Sequence, residues 1–164
     1  MKKILFGFLV LVFGLGISLA DNNLDAKYEK LLTSTEWICE FEQEGNGVHM
    51  YAKTNDIYNK DKTTTSFGET VITIQTPEAA DKLSIVYEVK ANGKWEILDG
   101  KVIASDTKME FKNISLPEFD NFLNLNDLIP DNVNASSKIV KLTEYEAIFE
   151  EEVTKIQEVC KAKK

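Results

Sequence analysis

The chain reads as a mainly β protein, an antiparallel up-and-down β-barrel of about eight to nine strands, with a short N-terminal helix and one short helix near 116–128. Three observations predict it. Runs of alternating apolar and polar residues follow one another, separated by short turn signals rich in Gly, Asn and Asp. No regular alternation of strands with helices, long repeat or low-complexity segment interrupts the series. The only two cysteines, Cys39 and Cys160, fall in the first and last strands. A bridge between them would tie the meander's ends together, and closure removes its exposed edges. An open β-sandwich is the alternative.

Residues 1–20 read as a signal peptide: basic Met1-Lys2-Lys3, an apolar run from Ile4 to Ile17, and a small-residue cleavage site at Ser18-Leu19-Ala20. The apolar run is shorter than the roughly 20 residues of a membrane span. No cysteine at the cleavage site offers a thiol for lipid attachment. The expected product is a single domain over 21–164, exported to the periplasm or beyond, with no stable membrane insertion after cleavage.

Leu24, Tyr28, Leu31 and Leu32 follow helical spacing, so Leu24–Thr33 is expected to form a helix covering one end of the sheet. In Thr35–Phe41, Trp37, Cys39 and Phe41 share one strand face. Glu44-Gly45-Asn46-Gly47 is a turn, and Val48, Met50 and Ala52 form the apolar phase of the next strand. The β-branched run Thr63–Gln75 is a third strand, with Gly68 inside it marking a bulge or bend. Leu83, Ile85, Tyr87 and Val89 alternate cleanly, Ala91-Asn92-Gly93 reads as a hairpin turn, and Lys94–Leu98 as the return strand. Asp99-Gly100 is a further hairpin signal before a long strand over Lys101–Asn113. Ser115-Leu116-Pro117-Glu118 fits a helix N-cap with a reciprocal Glu and an early Pro. Strands resume at Ser137–Thr143, Tyr145–Glu151 and Val153–Lys161.

The 164 residues carry 19 Lys+Arg, all of them lysine, against 27 Asp+Glu. Without Lys2 and Lys3 the count becomes 17 against 27, a net charge of −10. Nucleic acid and anionic membranes are therefore poor partners, because there is no positive surplus to release counterions. The lack of arginine and the wealth of Lys, Asn and Ile point to an AT-rich bacterial genome. In an exported chain, Cys39 and Cys160 are expected to form a disulfide. The bridge would close a loop of more than about 100 residues, worth about 5 kcal/mol on the chain-entropy argument.

These features resemble lipocalin-like, calycin-type barrels: a short N-terminal helix, Trp37 early in the first strand, an up-and-down strand order and Cys160 pinning the C-terminal segment. The chain has Thr35-Glu36-Trp37 where that family's first strand carries Gly-x-Trp, and no arginine to pack over the tryptophan. It also resembles small bacterial periplasmic proteins with Trp-x-Cys near the start and Cys near the end. The barrel resemblance implies a cavity for a small hydrophobic ligand.

Catalytic motifs are missing. His49 is the single histidine and lies on the polar phase of its strand, and no Gly-x-Ser-x-Gly, Gly-rich phosphate loop or EF-hand spacing occurs. The expectation is a non-enzyme without cofactor or metal. Trp37, Phe41, Phe67, Tyr87, Trp95 and Phe111 sit mostly on apolar strand phases and either simply fill a small barrel or are the candidate ligand-binding residues around a cavity. Phe119, Phe122 and Leu123 would form a lid over them. An interaction or inhibitor/immunity-type protein that uses its acidity to engage a basic protein is the alternative function.

Overall fold

The structure, a computed structural model, describes residues 19–75, 82–121 and 124–164. Helix α1 (Leu19–Leu32) leads into eight strands: β1 (Trp37–Gly45), β2 (Val48–Tyr58), β3 (Thr63–Ile74), β4 (Leu83–Leu98), β5 (Lys101–Asn113), β6 (Val133–Leu142), β7 (Glu146–Glu151) and β8 (Gln157–Ala162). They form a closed barrel in sequence order, each strand antiparallel to the next, with β8 returning to β1. Residues 1–18 of the expected leader and residues 76–81 between β3 and β4 lie outside the described residues. No described helix is long and apolar enough to cross a membrane.

Two hairpins take the form their sequences dictate. Asn46-Gly47 and Asp99-Gly100 all have φ between 52° and 77°. Two successive positive φ angles define the hairpin turn whose twist matches the flanking strands, and Asn-Gly and Asp-Gly supply them at least cost.

Ala91-Asn92-Gly93 is not a turn. It lies within β4, which runs unbroken for 16 residues, so eight strands stand where the turn signals allowed nine. Gly93 instead faces a bulge in β5, where the register slips between Asn92 and Lys94. A Cβ at Gly93 would stand 2.5 Å from the Thr107 hydroxyl and 3.0 Å from its Cα. Gly68 is also explained by close approach, since a Cβ there would overlap the Lys53 carbonyl oxygen. The β2–β3 register runs through Gly68 without a slip, so no bulge forms there.

Among the described residues, the short helix expected near 116–128 takes the form of two 3-10 turns, Pro117–Asn121 and Leu125–Asp127. The Ser115 hydroxyl is not an N-cap: it accepts a hydrogen bond from the Val86 amide at 2.8 Å. Asn113 does the local work, accepting from the Leu116 amide at 3.0 Å and donating to the Leu116 carbonyl at 2.7 Å.

The best-packed core lies at the end covered by α1. Leu32, Trp37, Trp95, Val102, Leu142 and Ala147 are buried together, with Tyr28 and Leu31 of the helix packed on them. Asp25 pins α1 across this end, its carboxylate accepting the Asp99 and Gly100 amides at 3.0 and 2.9 Å. Cys39 and Cys160 are direct partners in the β1–β8 ladder and form the disulfide, 121 residues apart in sequence. The staple therefore sits on the seam where the first and last strands meet.

Candidate functional site: the barrel interior

Paired residues on neighbouring strands share a face of the wall, so the register fixes what faces inward. One line runs Asn113, Tyr87, Thr70, Ala52, Phe41, Glu158, Phe149, Ile139. The Ile139 amide then bonds to the carbonyl of Gly100. The circuit thus leaves β5 at Asn113 and returns beside its start at Gly100, a displacement of 13 residues (113 minus 100), one of them consumed by the β5 bulge. Stagger, tilt and diameter are linked in a closed barrel. Eight-stranded enzyme barrels with a stagger of about 8 have interiors filled by side chains. The larger stagger here makes a wider barrel of the same strand number.

The wall is uneven in height. β2 to β5 span 11 to 16 residues, whereas β7 and β8 have six each. Above Phe41, β1 pairs only with β2, and above Thr107, β5 has no β6 partner. The tall strands therefore present a concave inner face above the short ones. It carries Phe41, Met50, Ile72 and Phe111, all half-buried, beside buried Ile85 and Tyr87. Asn126 covers the free β5 edge, accepting from the Phe111 amide and donating to its carbonyl, both at 2.8 Å.

Beneath this cup lie two carboxyl groups that the sequence reading did not single out. Asp56 pairs with Trp37 on β1 and with Ser66 on β3, and its carboxylate accepts the Ser66 hydroxyl at 2.6 Å. Glu158 projects inward between Phe41 and Phe149. Protein surrounds its carboxyl almost completely, yet the residue keeps part of its accessible surface, as a group lining a lumen does. Burial first, and the nearby Asp56 charge second, push Glu158 up to about 8. Burial also raises Asp56, against the pull of the Ser66 and Thr54 hydrogen bonds. Tyr58 is raised by burial and then by both carboxylates. Among the described residues no inward strand position holds lysine or histidine, so the two acids have no cationic partner. Both were legible in principle: Asp56 continues the Val48–Met50–Ala52 phase, and Glu158 shares the phase of Cys160.

The candidate aromatics divide into three groups. Phe41, Tyr87 and Phe111 line the cup, Tyr87 meeting Phe111 edge-on with ring centres 6.4 Å apart. Trp37 and Trp95 fill the closed end instead, their indole N–H groups donating to the Leu32 and Asn59 carbonyls at 3.0 and 3.1 Å. Trp95 also meets Tyr58 edge-on at 5.2 Å and carries Lys62 over its ring. Phe67 is a correction: it is 47% exposed on the outer wall. β3 has β-branched residues on both phases, and the partners of Ser66, Gly68 and Thr70 are what turn Phe67 outward.

Of the proposed lid residues, Phe119 is half-buried in the first 3-10 turn, while Phe122 and Leu123 lie outside the described residues. That turn is anchored at the mouth: buried Asn113 also donates to Asp120 at 3.1 Å, and the Asp120 charge adds to burial in raising Tyr87. His49 lies outside the barrel, 2.6 Å from Glu42. Cys39, Glu158 and Cys160 cluster closely, but the disulfide consumes both sulfurs as ligands and leaves one carboxylate. No protein-family model matches the chain, and the comparison with curated proteins finds no match. The class that fold and interior define is therefore an eight-stranded, disulfide-closed antiparallel barrel with an apolar, acid-floored cup.

Proposed function

We propose that the protein is an exported, lipocalin-like binder of a small hydrophobic molecule with a hydrogen-bonding or cationic end. The observation that carries this reading is the cup: an apolar inner face, still partly accessible, standing above two inward carboxyl groups, buried Asp56 and half-buried Glu158, without a cation. Ligand sites are typically apolar concavities with a few well-placed polar groups. An amine-bearing ligand would meet Glu158 as a carboxylate, and a neutral one would accept its proton in a hydrogen bond. The apolar leader and the disulfide support export. Closure at the α1 end leaves entry to the mouth beside the β5–β6 connection.

Native mass spectrometry of protein isolated gently from its host tests this. The expected result is a mass excess of a few hundred daltons, on the scale of small-molecule pockets, that disappears on denaturation. Ile72→Trp, which fills the cup, should abolish it. A bare mass, together with no uptake of dodecylamine or N-phenylnaphthylamine by the purified protein, would sink the proposal.

A further inference from the structure

A second concavity lies outside the barrel, at its closed end. It is a half-open groove of about 840 Å³ between the C-terminal half of α1, the β6–β7 turn and the end of β8. Its charge runs against the rest of the molecule. The whole chain has 19 basic and 27 acidic residues. The groove's charged side chains are Lys27, Lys30, Lys161, Lys163 and Lys164 against Glu144 alone.

Lys163 is held 2.6 Å from Glu36, and the charge of Lys161 reaches Glu40 on β1. Among the described residues the other four lysines make no salt bridge, and all are exposed. Lys30 has a local reason to be there, because cations are favoured in the last turn of a helix. That reason does not extend to Lys27, a turn earlier, or to Lys161 on β8. Two chain segments, α1 and residues 161–164, thus bring five lysines to one concavity that holds a single acidic side chain, and a bound anion would relieve their mutual repulsion. Between the ammonium groups the groove is apolar: Leu31 and Ala162 are half-buried, and the Tyr145 ring stands 74% exposed.

We propose that this groove binds a small anionic amphiphile, a molecule with a carboxylate, sulfate or phosphate head and an apolar, preferably aromatic, body. The volume falls within the roughly 300–1,000 Å³ of small-molecule sites. Its concavity fits a discrete molecule better than a flat bilayer. Lysines act as mobile point charges and suit a compact anionic head, without the planar fork that arginine offers. The site is independent of the barrel interior and takes ligands of the opposite charge.

The test uses two dyes on the purified protein: anionic 8-anilinonaphthalene-1-sulfonate and its uncharged counterpart N-phenylnaphthylamine. The double charge reversal Lys27→Glu/Lys161→Glu should weaken the sulfonate by roughly tenfold, about 1.4 kcal/mol, and leave the uncharged dye unaffected. Tyr145→Ser should weaken the sulfonate as well, and high salt should do the same to wild type. Ile72→Trp in the cup should leave sulfonate binding intact, which separates this site from the interior one. All replaced groove residues are exposed, and unchanged melting temperatures verify that each variant folds. Sulfonate affinity that survives the double reversal within twofold, or that is lost with Ile72→Trp instead, overturns the proposal. So does binding to phosphatidylglycerol vesicles without any binding of the free dye, which would make the groove a membrane contact.

Discussion

Glu158 keeps its proton in the folded barrel at pH values where an unfolded chain has lost it. Its folded value of about 8 stands above the reference of 4.5, raised by burial and by Asp56. Between those two values the native state binds more protons than the unfolded state, so this group makes stability fall as pH rises through that window. Below it the contribution is fully present, and by pH 8 it is gone. The ceiling set by the shift is on the order of 5 kcal/mol, and relaxation or water entry lowers it. Asp56, also raised by burial, acts with the same sign. Glu158→Gln, which keeps the shape without the charge, is expected to raise the melting temperature at pH 8, leave it nearly unchanged at pH 4.5, and flatten the profile between. Thermal melts across pH 4.5–9 measure this, and a variant that parallels wild type throughout would place the carboxyl in water. Glu158 and Asp56 could be found from strand phase alone. Their isolation from any cation could not, because it depends on what every other strand turns inward.

Helix α1 acts as the barrel's floor. Its sequence is only weakly amphipathic, and it stays in place through Leu32, buried in the core, and Asp25, which caps the β4–β5 hairpin from across the closed end. Asp25→Ala leaves two turn amides without their acceptor, a loss of roughly 1–3 kcal/mol for charge-assisted bonds. Urea unfolding should register that loss, and hydrogen exchange should quicken at Asp99 and Gly100 first. No change at those amides would mean that packing alone holds the helix. At this scale the sequence was readable wherever geometry is local. Asn46-Gly47 and Asp99-Gly100 specify their own turns. Ala91-Asn92-Gly93 carries the same signature, yet β3 and β5 pair on either side of it and carry β4 straight through. The Ser115 cap failed for a similar reason, because the Val86 amide claims its hydroxyl.

The whole molecule is a closed sheet stapled at its seam. The disulfide joins partners 121 residues apart, and restraining so long a loop in the unfolded chain is worth about 5 kcal/mol on the chain-entropy model. Cys39→Ala/Cys160→Ala, or reduction, should lower the unfolding free energy by several kcal/mol, read from the urea midpoint at constant slope. A loss below about 1 kcal/mol would mean that the unfolded chain already holds its ends together. The sequence by itself determined the β class, the antiparallel order and the pairing of the two cysteines. Alternation, turn chemistry and the presence of only two thiols are properties of neighbouring or unique residues. Only the tertiary structure decided the strand count, the outward turn of Phe67, the stagger that widens the barrel and the enclosure of Asp56 and Glu158. It alone also gathered lysines from α1, β8 and the tail around one groove. Each of these depends on register between strands distant in sequence, and a one-residue slip would turn every side chain of a strand to its opposite face.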